Sequence, residues 1–174
     1  MGVRRASLVE TPEALRTQVA WVLETYRQDC LVEEFAPGRE FCVGLLGNGG
    51  ARVLPVAEVR SEGGFYAYEA KHRHRKELVC PAPVSEDVAE EMRHAALAMA
   101  RVLGCRDFAR VDFKLDVTSR PAFLEINPLP GLSPQYGIYP RQAQAAGLTH
   151  EQLIGEIIRA ALERGREPER RSVA

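Results

Sequence analysis

Apolar residues recur at helical spacing in three stretches of the chain. The first opens on Thr11-Pro12-Glu13, where Thr11 can cap and Pro12 suits the first helical position; Leu15, Val19, Val22 and Tyr26 then share a face, predicting a helix from 12 to 27. The second follows Ser85, a candidate cap backed by Glu86 and Asp87. Val88, Met92, Ala95, Met99 and Leu103 continue one face up to Gly104, predicting a helix from 86 to 103. The third opens on the capping box Thr149-His150-Glu151-Gln152, after which Leu153, Ile154, Ile157, Ile158 and Leu162 mark an amphipathic helix.

Between the first two helices the pattern shortens. Leu31-Val32-Glu33-Glu34-Phe35, Glu40 to Leu46 and Val53 to Val59 are apolar-rich runs punctuated by Pro37-Gly38 and Asn48-Gly49-Gly50, and read as three strands of an antiparallel meander. From Ser61 to Pro83 there is little periodicity, which predicts a long loop, and such loops are usually functional. Phe108 to Leu115 and Ala122 to Ile126 alternate around a turn and read as a hairpin; a Pro/Gly-rich connection then leads to the last helix. A meander, long helices and a hairpin make an α+β fold rather than an alternating parallel α/β one.

The hairpin carries the candidate chemistry. If Asp116 faces Pro121, Asp112 lies opposite Glu125 and Arg110 opposite Asn127, all four on one face. Val111, Phe113 and Leu115 then join Ala122, Leu124 and Ile126 on a wholly apolar face. Two carboxylates directly opposite one another repel, so the arrangement needs a cation, a proton or Arg110 to relieve it. Asp, Glu and an Asn oxygen are hard ligands that suit Mg²⁺. Spacing alone does not separate that reading from a solvated face of a half-buried hairpin. The stiff segment Asn127-Pro128-Leu129-Pro130-Gly131-Leu132-Ser133-Pro134 leaves the same strand end and could wall a site with backbone N–H groups.

Composition changes this picture little. The 174 residues suit one domain of ordinary size, with 45% hydrophobic residues, 27% charged residues and a net charge of -1, which gives no general pull toward nucleic acid or membrane. No apolar run approaches the roughly 20 residues of a membrane span. Cys30, Cys42, Cys80 and Cys105 lie far apart, without C-x-x-C spacing, and fit a reduced cytoplasmic setting as packed thiols. The basic run Lys71-His72-Arg73-His74-Arg75-Lys76 lacks interleaved aromatics, so a phosphate-facing lid or a solvated loop fits better than a nucleic-acid patch. His72 and His74 have no third metal ligand nearby in sequence, and Trp21 is expected to pack.

Arg110-Val111-Asp112-Phe113, Leu124-Glu125-Ile126-Asn127 and Pro130-Gly131 resemble the metal and phosphate motifs of the D-alanine–D-alanine ligase branch of the ATP-grasp enzymes. The resemblance continues upstream through Val32-Glu33-Glu34-Phe35, Gly38-Arg39-Glu40-Phe41, Tyr68-Glu69-Ala70-Lys71 and Cys80-Pro81-Ala82-Pro83, over roughly residues 8 to 163. It implies that Glu33, Glu34, Phe35 and Ala36 form a hinge strand against adenine and that Glu40 binds the ribose hydroxyls. It further implies that Asp112, Glu125 and Asn127 hold two Mg²⁺ ions, with Mn²⁺ as an alternative, across the ATP phosphates. Arg110 and Lys71 would stabilise the transferred phosphoryl group, and Gly131 would offer a backbone N–H to the tetrahedral intermediate. The implied reaction is acyl-phosphate formation from a carboxylate and ATP, followed by attack of an amine, in the service of cell-wall precursor synthesis.

By the same resemblance residues 1–163 are part of an ATP-grasp domain, its C-terminal subdomain with an antiparallel sheet and flanking helices, and residues 164–174 are a charged tail. The family's N-terminal domain and nucleotide-contacting lysine have no counterpart in these residues, so the chain is expected to be inactive alone and to leave an apolar patch on its first helix and meander. A homodimer or association with an N-terminal half is the expected assembly, with ATP and amino acids as substrates of the intact parent. His72 stands where the family commonly has Tyr. The segment from Ser133 to Pro140 is one residue longer than in the family and lacks the serine that binds the acceptor carboxylate. A ligase for other amino acids or peptides, and a non-catalytic nucleotide-binding module, are the alternatives.

Overall fold

A computed structural model describes residues 5–61 and 76–166. Six strands, β1 (Glu40–Leu46), β2 (Arg52–Val53), β3 (Ala57–Ser61), β4 (Lys76–Val79), β5 (Phe108–Leu115) and β6 (Pro121–Asn127), form one antiparallel sheet. Its order is β4-β3-β1-β5-β6, with β2 paired to the far end of β1. The described residues also form the α-helices α1 (Pro12–Tyr26), α2 (Glu86–Val102), α3 (Ile138–Ala145) and α4 (His150–Arg166). The expected α+β class is what the chain adopts.

Alternation along β1 and β5 divides the interior. Phe41, Val43 and Leu45 of β1 and Val111, Phe113 and Leu115 of β5 point to one face, where they pack with Ala89, Met92 and Ala96 of α2. On the other face, toward the β2 end, Leu46 and Leu54 pack with Tyr139 and Ala143 of α3 and Leu153 of α4. The rest of that face carries polar side chains and is described below.

The predicted α1 and α2 form within a residue of their expected bounds, and α4 forms after its capping box. Thr11 Oγ1 accepts from the Ala14 amide at 3.2 Å, and Thr149 and Gln152 exchange the two bonds of the capping box at 3.2 and 2.8 Å. Ser85 makes no side-chain cap; its carbonyl instead accepts from Ala89 N–H at 3.0 Å. α1 buries no residue fully, and Leu23 and Tyr26 are exposed, as expected of a helix that leaves an apolar patch. α4 runs through Arg166, so the expected tail boundary at 164 falls inside a helix, and Arg164 is held there by a two-point ion pair with Asp107 at 2.8 and 3.0 Å.

The meander differs from expectation in three places. Residues 31–35 join no ladder; Leu31 and Val32 are exposed, because β-favouring residues make a strand only where a partner edge is offered. The run from Val53 to Val59 is broken in two, since Pro55 has no N–H for a ladder. β4 forms inside the stretch read as a long loop, pairing Lys76, Glu77, Leu78 and Val79 with Ser61, Arg60, Val59 and Glu58 of β3. α3 was likewise unforeseen in the Pro/Gly-rich connection; Pro140 falls in its first turn, where a missing N–H costs little.

The gap at residues 54–56 is filled from α3. Gln142 Nε2 donates to the carbonyls of Cys42 and Pro55 at 3.0 and 2.9 Å, and Tyr139 Oη donates to Leu45 O at 2.8 Å. These fully buried side chains thus tie α3 to the carbonyls of β1 and of Pro55, beside the break between β2 and β3. Such close approach requires Gly44: a Cβ there would lie 2.9 Å from Leu54 Cδ1 and 3.1 Å from Gln142 Oε1.

Candidate functional site

The sheet face opposite α2 forms the floor of a cleft of about 600 Å³. Its two central rows follow from the register. One runs Val59, Glu40, Lys114 across β3, β1 and β5; the next runs Ala57, Cys42, Asp112, Glu125 across β3, β1, β5 and β6. Arg110 lies one step beyond Asp112 on the same face, opposite Gly44 on one side and Asn127 on the other. Residues 33–36 form a wall of the cleft, and Ser7, Leu8, Val9 and Ile138 complete it.

The predicted pairs Asp112–Glu125 and Arg110–Asn127 form, but not through the expected turn. Asp116 N–H donates to Arg120 O at 2.9 Å, while the Asp116 side chain accepts from Thr118 and Arg120 amides and Ser119 takes a left-handed φ of 63°. Leu115, not Asp116, therefore pairs with Pro121. A bulge between the pairs Phe113–Phe123 and Asp112–Glu125 then restores the register. The bulged residue is Leu124, which leaves the apolar face assigned to it, is 43% exposed and lines the cleft; Phe123 takes its place against Phe113, ring centroids 6.3 Å apart.

Arg110 answers the repulsion between the carboxylates. Its Nε and Nη2 donate to the two oxygens of Asp112, each at 2.7 Å, with both side chains largely buried. Burial pulls the guanidinium pKa down, but the hydrogen bonds to and charge of Asp112, with Cys42 and Glu125 adding, carry it above its ordinary value. Burial, and then the nearby Asp112 carboxylate, push the Cys42 thiol well up, which makes it an inert group on the cleft floor.

Among the described residues no three His, Cys, Asp or Glu side chains converge as a metal cluster. The donor set here is two carboxylates and one amide. Asp112 and Glu125 line the cleft, and Asn127 Oδ1 accepts from the Leu129 amide at 3.2 Å in a turn that fixes the side chain at the strand end. Each Asp112 oxygen keeps lone pairs beyond those given to Arg110. The set is hard and oxygen-only, and it fits Mg²⁺ or Mn²⁺.

Of the other predicted site residues, Glu33, Glu34, Phe35, Ala36 and Glu40 line the same cleft, though 33–36 is not a strand. Gly131 is exposed on the loop after β6 and is not a lining residue. Lys71, with His72 and His74, lies outside the described residues. Sequence reasoning missed Cys42, Lys114, Leu124 and the segment from Ser7 to Val9. Lys114 had a signal: its place two residues after Asp112 in the alternation puts it on the site face. It is 6% exposed, and its Nζ donates to Ala36 O at 3.1 Å and lies 4.8 Å from the Phe35 ring centroid.

The family model described as "D-ala D-ala ligase C-terminus" matches residues 2–159. A D-alanine–D-alanine ligase of Carboxydothermus hydrogenoformans is 38% identical over 156 residues, 88% of this chain and 48% of that protein. An uncharacterised protein of Sinorhizobium fredii is 38% identical over 159 residues, covering 88% and 47%. Among solved structures, the D-alanine–D-alanine ligase of Coxiella burnetii aligns with a TM-score of 0.73 at 25% identity, covering 90% of this chain and 40% of the other. The VanG D-Ala:D-Ser ligase of Enterococcus faecalis aligns at 0.70 and 26%, covering 87% and 44%. The chain thus spans about half the length of the curated relatives it matches.

Proposed function

We propose, from the premise that this chain belongs to the D-ala D-ala ligase C-terminal family of the ATP-grasp superfamily, that its cleft holds ATP and Mg²⁺ for an ATP-dependent carboxylate–amine ligase. The observation that carries the reading is the direct opposition of Asp112 and Glu125 on the cleft floor with Arg110 clamped to Asp112. Opposed carboxylates are a costly arrangement on a sheet unless positive charge joins them. Asp112, Glu125 and Asn127 would hold the metal, which when bound supplies charge neutralisation at the phosphate oxygens.

The chain's own groups divide the remaining work. Residues 33–36 would meet the base, and Glu40 would accept from the ribose hydroxyls; the Arg110 guanidinium would face charge developing on the transferred phosphoryl group. Phosphoryl transfer asks a protein mainly for positioning and charge stabilisation, and a cleft with Asp112 and Glu125 on one row and Arg110 on the next suits it. Transfer to a carboxylate gives an acyl phosphate, which an amine then attacks to form an amide and release phosphate. The acceptor amino acid is a separate matter: named relatives include both D-alanine–D-alanine ligases and a D-Ala:D-Ser ligase. Peptidoglycan precursor synthesis is the setting we propose on the same ground.

Calorimetric titration of the chain with Mg·ATP, beside an Asp112→Ala, Glu125→Ala double variant, tests the reading. Metal-dependent binding by the wild type that disappears in the variant is the expected result. Equal binding by both folded proteins would overturn the site.

A further inference from the structure

We infer that Lys114 is a positioning residue of this cleft, its buried ammonium fixing the 33–36 wall to the floor, so that it governs the base side of binding and not the phosphate side. Its binding arm rests on the nucleotide reading above; its structural arm does not.

Residues 31–37 join no ladder, and Leu31, Val32 and Phe35 are exposed. Regular backbone pairing to the sheet resumes with Gly38 N–H donating to Leu115 O at 2.9 Å and Leu115 N–H to Arg39 O at 3.0 Å. Upstream of that point the wall is tied to the floor by Lys114, whose Nζ donates to Ala36 O and faces the Phe35 ring. The same residue stands opposite Glu40 in the β1–β5 ladder. A lysine that merely filled space would extend its head to water. Here the head is withdrawn, and an ammonium so placed is tolerated only where acceptors and charge surround it. This contact therefore ties the wall to the floor.

Lys114→Met keeps the length of the side chain and removes its donors; Phe35→Ala, at an exposed ring, removes the other half of the contact without disturbing the core. Amide hydrogen exchange on the full chain without ligand is expected to quicken about tenfold at Gly38, the first amide that joins this segment to the sheet, in Lys114→Met, and in the same direction in Phe35→Ala, with the centre of β5 unchanged. Unchanged exchange at Gly38 in both variants would overturn the inference. In calorimetry, Lys114→Met is expected to weaken Mg·ATP about tenfold while leaving Mg·tripolyphosphate as in the wild type. Equal loss for both probes, or no loss for ATP, would overturn the positioning role. A wild type that binds neither probe would count against the nucleotide reading, and the exchange result would still decide what Lys114 does.

Discussion

Arg110 clamps both oxygens of Asp112 at 2.7 Å while Glu125 stands opposite Asp112 on the neighbouring strand. Removing the guanidinium would leave a buried carboxylate beside another with no cation between them. Arg110→Ala is therefore expected to lose about 3 kcal/mol of stability in urea denaturation. Millimolar Mg²⁺ should raise its melting temperature by more than that of the wild type, because a metal can replace the missing charge. A variant insensitive to Mg²⁺ would speak against the metal site.

The close contact between Gly44 and α3 gives a second expectation. A Cβ at Gly44 would press on Leu54, Gln142 and Tyr139, the last two being the residues that tie α3 to the carbonyls of β1 and of Pro55. Gly44→Ala should cost about 1–3 kcal/mol by overpacking. Gln142→Leu, which strips a donor from two buried carbonyls, should cost about as much. Equilibrium unfolding of each variant checks both values.

Acid should destabilise the chain through two carboxylates far from the cleft. The hydrogen bond from Arg39 holds Glu58 below its ordinary 4.5, and that from Arg164 holds Asp107 below its ordinary 3.8. The unfolded chain binds these protons more readily, so the stabilisation is complete above about pH 4.5 and is lost as pH falls through the lower folded values. Acid unfolding followed by circular dichroism should show a shallower loss between pH 4.5 and 3 in Glu58→Gln and Arg164→Met than in the wild type.

Thiol reactivity should separate the cysteines. Cys42 is buried and its pKa is pushed well up, and burial also raises Cys80, whereas Cys30 and Cys105 are partly accessible. A colorimetric thiol reagent at neutral pH should label Cys30 and Cys105 first in the native chain, and Cys42 only on unfolding. Early modification of Cys42, identified by peptide mass, would contradict the inert role assigned to it.

The site rows were legible because alternation along β5 is strict: Arg110, Asp112 and Lys114 to one face, Val111, Phe113 and Leu115 to the other. The expected pairs of Asp112 and Arg110 came out correct through two departures that cancel. The turn closes one residue differently from the symmetric turn assumed, and the bulge at Leu124 takes up the difference. Nothing in an apolar residue within an apolar run announces that it will be the bulged one. Residues 31–35 failed for the opposite reason, since their side chains favour a strand but pairing depends on an edge elsewhere. Pro55 did signal the break between β2 and β3, and Pro140 disguised the start of α3 as loop.

The segment between β6 and α3 has both exits fastened. At one end Asn127 turns back on the Leu129 amide; at the other Tyr139 and Gln142 bolt α3 to the carbonyls of β1 and residue 55. Residues 130–137 span two fixed posts like an interchangeable fitting. Their exposed positions, Pro134, Gln135 and Tyr136, can be exchanged without moving the floor of the cleft, so chemistry at the floor and choice of partner molecule at the rim can change independently of one another.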